Sequence, residues 1–319
     1  MFSFKNWVLT PKSSHLKTQS SALKPQSKNF NMKLLVTGAN GQLGWELQRT
    51  RPDDWEIIAL SRTELDITDS AAVAALFKKH QPDLVINAAA YTAVDKAESE
   101  KDDAYEVNAH GAANIAKAVE NSGARLIHIS TDFVFDGRKS QPYLPGDKPN
   151  PLSVYGASKL QGEQSVLAAT MNKALVLRTG WLYSSHGSNF VKTLLKLLAE
   201  RKEISIVADQ VGTPTWARGL ARAICHFADI PEARGIYHWT DAGVASWYDF
   251  AAAIQEEAHK LGILQGLIPV MPIRTEDYPT PARRPPYSVL DKTATWKTLG
   301  YTASHWRLSL RQMLEELKQ

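Results

Sequence analysis

The 319-residue sequence has a single cysteine, Cys225, which excludes an internal disulfide, and no Cys/His cluster has metal-ligand spacing. Cys225 stands in the apolar run RAICHF, the setting of a buried structural thiol. No apolar run approaches the length of a membrane span. Excess charge is also scarce: 37 Lys and Arg against 33 Asp and Glu leave a net charge of +4. That excess is too small to make nucleic acid the principal partner, although a local basic pocket for a phosphorylated small molecule stays open. The first 31 residues contain no Asp, Glu or Arg and lack the apolar core of a secretory signal. Met32 directly precedes the first strand-like run, so residues 1–31 read as a disordered leader or an added extension. What remains is a globular protein expected in the cytoplasm, with enough apolar residues for a large core.

From Met32 onward, short apolar runs alternate with amphipathic segments. KLLVTG (33–38), EIIAL (56–60), LVINAA (84–89), RLIHIST (125–131) and ALVLRTG (174–180) read as buried strands. Helical patterns fall near 42–50, 70–80, 102–122 and 155–170. This order implies an α/β fold: a doubly wound parallel sheet covered on both faces. Beyond 177, Trp, Pro and Gly become frequent among shorter elements, with helices expected near 190–200, 216–228, 246–260 and 304–317. We expect residues 32–177 to form the nucleotide-binding part. Residues 178–319 should be mainly a smaller substrate-binding lobe over the carboxyl ends of the strands, interleaved with the first in sequence.

VTGANGQLGWELQR follows the first strand and opens the first helix. Gly38, Gly41 and Gly44 have the GxxGxxG spacing that permits a tight turn and a close approach of backbone to pyrophosphate at a helix N-terminus. A strand-to-helix turn without ligand is the competing reading, but the position at the very start of a Rossmann-like fold favours a dinucleotide. At the end of the second strand, an NAD-selective site would offer an acidic residue to the ribose. Ser61 stands there instead, followed by Arg62, and a hydroxyl plus a guanidinium suit a 2′-phosphate, so NADPH is expected over NADH. The bland alternative is a solvated Arg62. Asp66 and Ile67 are expected beside the adenine. SVYGASK places Tyr155 and Lys159 one helical turn apart, on one face.

These motifs coincide with TGANGQLGWELQR, INAAAYTAVDKAESE, VNAHGAANIA, HISTDFVFDG, VYGASKLQGE, DQVGTPT and TPARRP. From Met32 to its end the chain resembles the extended short-chain dehydrogenase/reductases, and more narrowly the dTDP-4-dehydrorhamnose reductase family. The resemblance implies that Thr131, Tyr155 and Lys159 are the catalytic triad. Lys159 would tune the tyrosine, whose ordinary pKa near 10 makes it a reluctant participant near neutrality, and hold the nicotinamide ribose. Thr131 would orient the ketone, and Tyr155 would supply the proton that follows hydride. It further implies that Asn40, Gly41, Gln42 and Leu43 form the pyrophosphate turn beside Gly38. Ala88, Ala89, Ala90, Tyr91 and Thr92 would line the nicotinamide side, with Thr92 also reaching substrate. Thr131, Asp132 and Trp181 would contact the sugar, and Asn189 and Arg284 the nucleotide end, each weighed against a structural role.

Many members of that family have Tyr after Thr-Asp, where this chain has Phe133. Some hold magnesium between subunits through glutamates. The matching residues, Glu46 and Glu200, read here as solvated or salt-bridged helix residues. The implied reaction is NADPH-dependent reduction of the C4 ketone of dTDP-4-dehydrorhamnose by a monomer or homodimer. The alternatives are a reductase or epimerase acting on another nucleotide-linked 4-keto sugar, or a non-catalytic NADP-binding regulatory subunit. A dehydratase is disfavoured, because Thr131 is followed by Asp132 and Phe133 and no glutamate is available for the elimination.

Overall fold

The computed structural model describes residues 32–318, so the expectation for residues 1–31 lies outside it. Five of the apolar runs form parallel strands: β1 (Lys33–Thr37), β2 (Glu56–Leu60), β3 (Leu84–Asn87), β4 (Arg125–Thr131) and β5 (Leu175–Thr179). Helices α1 (Gln42–Thr50), α2 (Ser70–His80), α3 (Lys101–Tyr105), α4 (Ala112–Ser122) and α5 (Val154–Ala169) lie between them. The second half runs through β6 (Leu182–Tyr183), α6 (Phe190–Glu200), β7 (Ile204–Val207), β8 (Val211–Gly212), β9 (Thr215–Trp216) and α7 (Ala217–Ala228). It continues with β10 (Gly235–His238), β11 (Ala245–Ser246), α8 (Trp247–Lys260), β12 (Val270–Ile273), α9 (Thr293–Leu299) and α10 (Trp306–Lys318). The main sheet has the order β10-β5-β4-β3-β1-β2, so the chain reverses its winding direction between β1 and β3. A crevice opens at such a reversal, outside the carboxyl ends of the two strands.

Side chains alternate across this sheet. Leu34, Val36, Ile86, Ile127 and Leu177 face α1 and α7, where they meet Leu47, Leu220, Ile224 and Phe227. Leu35, Val85, Leu126 and Val176 face the other way, against Phe77 of α2, Ile115 and Val119 of α4 and Val166 of α5. Burial on both faces explains why the strands read as continuous apolar runs. The expected boundary near 177 is crossed twice, because α7 packs on α1 and β10 pairs with β5. A second core joins Leu194 and Leu198 of α6, Phe250 and Ile254 of α8, and Trp306, Leu310 and Met313 of α10.

The segment expected as one helix over 102–122 is interrupted by a π-type turn, Glu106–Gly111, between α3 and α4. Asn108, buried in this turn, donates from Nδ2 to the Tyr91 carbonyl (3.1 Å) and to Ser158 Oγ (3.0 Å), and accepts from the Tyr91 N–H (2.9 Å). Helix α5 presses on the same turn through Gly162. A Cβ there would lie 2.1 Å from the Asn108 carbonyl oxygen. Gly162→Ala should therefore push α5 off the turn and cost about 1–3 kcal/mol, read as a lower urea midpoint. Gly146→Ala, whose Cβ would meet nothing within 4 Å, should leave the midpoint unchanged.

Candidate active site

A cleft of about 740 Å³ occupies the crevice. Its floor is the turn after β1. Gly38 has φ +72°, and a Cβ there would stand 2.8 Å from the Ala88 carbonyl oxygen. A Cβ on Gly44 would lie 2.3 Å from the Gly38 carbonyl, so α1 seats on its own loop only through glycine. Gly41 begins α1 with no capping side chain, which leaves the first-turn N–H groups without a side-chain partner, facing the cleft with Asn40, Gln42 and Leu43. Uncapped N–H groups at the positive end of the helix dipole suit a diphosphate. A dinucleotide therefore fits this end.

Beyond the glycine loop, Arg62, Asp66 and Ile67 line the cleft. Asp66 is held by the Thr68 N–H (3.0 Å) and hydroxyl (2.8 Å), which keep its carboxyl below the usual range. Asn114 fixes the Ile67 and Thr68 carbonyls, both at 3.1 Å. Ser61 departs from expectation: it is buried off the cleft, and both its N–H (2.8 Å) and its hydroxyl (2.6 Å) donate to Glu64 Oε2. That carboxylate fixes the β2 turn, so of the expected pair only Arg62 faces the cleft.

Ala88, Ala89, Ala90, Tyr91 and Thr92 leave β3 and form the next stretch of wall. Tyr91 is anchored at its backbone by Asn108 and at its hydroxyl by Glu100, a bond that drives the phenol up to about 12.

Thr131, Tyr155 and Lys159 meet on the far wall. Thr131 ends β4. Helix α5 starts at Ser153, whose hydroxyl accepts the Gly156 N–H (3.2 Å), while Glu98 accepts the Val154 N–H (2.8 Å). Tyr155 and Lys159 thus project from the first turns of α5. Lys159 is buried, and its Nζ donates to the Ile129 carbonyl (2.7 Å). Burial brings its ammonium down to about 8, against the pull of Glu163. Tyr155 lies edge-on to Phe133, ring centroids 5.5 Å apart. Its hydroxyl is pushed up to about 12 by burial and by the Asp132 charge, with the Thr131 hydroxyl acting in the opposite direction. Asp132, buried against Gly180, is itself pushed up to about 6 by burial, against hydrogen bonds from Ser288 and Thr131.

Trp181 lines the cleft with φ +50°, a left-handed conformation rare for a large side chain, and such strain concentrates at functional sites. Its indole stacks on Trp247 (centroids 3.6 Å apart, 4° between planes), and a Cβ on Gly212 would clash with it at 2.5 Å. Asn189 reaches the cleft as the N-cap of α6, accepting the Lys192 N–H (3.1 Å), and its Nδ2 donates to Gln42 Oε1 (2.9 Å) and the Ser184 carbonyl (2.7 Å). Its side chain is committed to structure. Arg284 does not line the cleft. It forms a two-point ion pair with Asp95 (3.0 and 2.8 Å), a partner that the expectation of a contact at the nucleotide end did not include.

Glu46 and Glu200 each have partners within the chain. Glu46 is fully buried, accepting from Ser184 Oγ (3.1 Å) and Arg218 Nε (3.1 Å). Glu200 sits on the surface 4.0 Å from Lys196. Among the described residues, no group of three or more His, Cys, Asp or Glu side chains could hold a metal, and no helix is long and apolar enough to cross a membrane. Three contributors escaped the sequence reading. Asn108 carried a signal, an asparagine inside a helical pattern, where its side chain competes for backbone. Glu64 and Trp247 carried none, because their roles depend on partners across a turn or a domain.

A family model described as the RmlD substrate binding domain matches residues 32–319. The chain is 42% identical to the spore coat polysaccharide biosynthesis protein SpsK of Bacillus subtilis (strain 168), over 89% of this chain and 97% of that one. It is 42% identical to a dTDP-4-dehydrorhamnose reductase of Burkholderia thailandensis, over 90% and 99%. Its structure is similar to that of the dTDP-4-dehydrorhamnose reductase of Bacillus anthracis in complex with NADP, at a TM-score of 0.85 and 38% identity over 90% of this chain and 100% of that one. The chain belongs to the RmlD substrate binding domain family, alongside the dTDP-4-dehydrorhamnose reductases.

Proposed function

We propose that this protein reduces the C4 ketone of dTDP-4-dehydrorhamnose to the alcohol of dTDP-L-rhamnose, with NADPH as donor. The observation that carries this reading is that Thr131, Tyr155 and Lys159 line the same cleft as the uncapped start of α1. The relatives' names and the NADP complex of the Bacillus anthracis protein support the substrate and the cofactor. Bound NADPH would supply hydride. The N–H groups of Gln42 and Leu43 would hold its diphosphate, and Arg62 its 2′-phosphate. Thr131 Oγ1 donates to the ketone oxygen and fixes its direction. Tyr155 Oη then protonates that oxygen as it gains charge. A phenol carries its proton near neutrality and can give it to that oxygen as charge develops. The Lys159 ammonium offsets the negative charge left on Tyr155. Trp181 offers its indole to an apolar sugar face.

NADPH oxidation with dTDP-4-dehydrorhamnose should be rapid, and Tyr155→Phe should lower kcat by about 10²–10⁴-fold with folding intact. A folded wild type that binds NADPH and oxidises none would overturn the assignment. As pH rises through about 8, Lys159 loses its charge, so kcat/KM should fall on that basic limb. Arg62→Ala should raise KM for NADPH by about 10–100-fold and leave KM for NADH nearly unchanged, the effect of losing a charge-assisted contact.

The unliganded protein should keep Tyr155 protonated well above pH 9, because its hydroxyl stands near 12. Ultraviolet difference spectra against Tyr155→Phe check this, and a tyrosinate signal rising with a midpoint near neutrality would refute it.

A further inference from the structure

Behind the catalytic wall lies a buried ion pair that the reaction scheme does not use. Glu163 and Arg178 are each about 1% exposed. Arg178 Nε donates to Glu163 Oε1 (2.8 Å) and Nη2 to Oε2 (2.6 Å), while Ser130 Oγ donates to the same Oε1. Each partner sits beside a residue of the proposed reductase site. Ser130 precedes Thr131 on β4, Arg178 stands three residues before Trp181 after β5, and Glu163 lies one turn beyond Lys159 on α5. Ser130 and Arg178 are also direct register partners between β4 and β5.

We infer that Glu163 is a positioning residue, which through Arg178 and Ser130 locks α5 to β4 and β5 and places a carboxylate one helical turn from Lys159. Stability alone gives no reason for the pair, since a buried ion pair can often be replaced by apolar residues at no loss. Its charge is what the neighbourhood requires. Lys159 is buried, and Glu163 opposes the effect of that burial. The other titratable or charged groups around Lys159 are Tyr155 on its own helix, His128 and Asp132 on β4 and just after it, and Arg178 on β5. His128 is buried and disfavours protonation, in part because of the Lys159 charge. Arg178 is a fixed cation whose far side is covered by the Phe135 ring at 5.1 Å. Of the two carboxylates, Glu163 lies one turn away on the same helix and opposes the effect of burial on Lys159.

The inference rests on the reductase reading for its consequence in turnover but not for its physical test. In the unliganded protein, the lysine Cε carbon resonances would be followed against pH by NMR, with Lys159 assigned from Lys159→Met. Wild type should titrate near 8. Glu163→Gln, which leaves Arg178 as an unopposed cation, should move that midpoint down by about one unit. The double variant Glu163→Leu with Arg178→Met removes both charges and covers the case in which the single variant fails to fold. It should show a smaller fall at near-wild-type urea midpoint. With keto-sugar and NADPH, the basic limb of kcat/KM should shift by the same amount as the NMR midpoint, with kcat about tenfold lower and KM little changed. A folded variant in which the Lys159 midpoint does not move overturns the inference. Absence of wild-type turnover would sink the reductase reading instead and leave the NMR result to decide this one.

Discussion

The closeness with which α5 lies against β4 and the π-type turn governs the site. A Cβ at Gly156 would stand 2.2 Å from the Phe133 carbonyl oxygen, and one at Gly162 would stand 2.1 Å from that of Asn108. No other residue fits either place without moving the helix. At this separation Lys159 reaches the Ile129 carbonyl, Ser158 meets Asn108, and Tyr155 lies edge-on to Phe133. The π-type turn belongs to the same constraint. It turns the Asn108 side chain out of its own helix, where it holds the Tyr91 backbone that walls the cleft. Two glycines and one widened turn thereby place Thr131, Tyr155 and Lys159 and the segment opposite them.

That packing also sets the electrostatics. Dry surroundings penalise charge on either sign of group, so the phenol rises and the ammonium falls. For a protein running a reduction, the two shifts have unequal consequences. A neutral phenol is the form required at the start, and with an ordinary pKa near 10 it is already neutral near pH 7, so its shift adds little. A neutral lysine would not balance the phenolate left behind, so its shift needs to be limited, and the carboxylate one turn away on α5 limits it. The wall therefore carries its counter-charge inside the fold, away from solvent screening.

Local patterns in the sequence reported the parts of this arrangement that are local. Continuous apolar runs marked the strands because both sheet faces are covered, and GxxGxxG marked the tight turn after β1 because backbone contact at Gly38 and Gly44 admits no side chain. The Tyr155–Lys159 spacing reported a shared helix face. Which partner a polar side chain takes is not legible in such patterns. Ser61 was read from its place after β2, yet a glutamate three residues on takes its hydroxyl. Arg284 is expected at the nucleotide end, and Asp95, 189 residues away in sequence, pairs with both terminal nitrogens of its guanidinium. Spacing along a chain carries no information about competition from a segment that only the fold brings near. The same reason hides Trp247, whose whole contribution is the face it offers to Trp181.

Helix α1 has a second duty that follows from its position. Its amino end presents N–H groups to the cleft, while its side chains tie it to the second half of the chain. Gln42 meets Asn189, Glu46 accepts from Ser184 and Arg218, and Arg49 pairs with Glu316 of α10. His186 stacks on Trp45 at 4.9 Å and reaches the Asn40 carbonyl in the glycine loop. A dinucleotide diphosphate bound at the start of α1 would thus rest on the same element that locates residues 182–189, the segment that follows Trp181. Positioning of the donor and positioning of the sugar wall are then not independent. A displacement of α1 would move both, and the buried, fully partnered Glu46 at its centre resists that displacement.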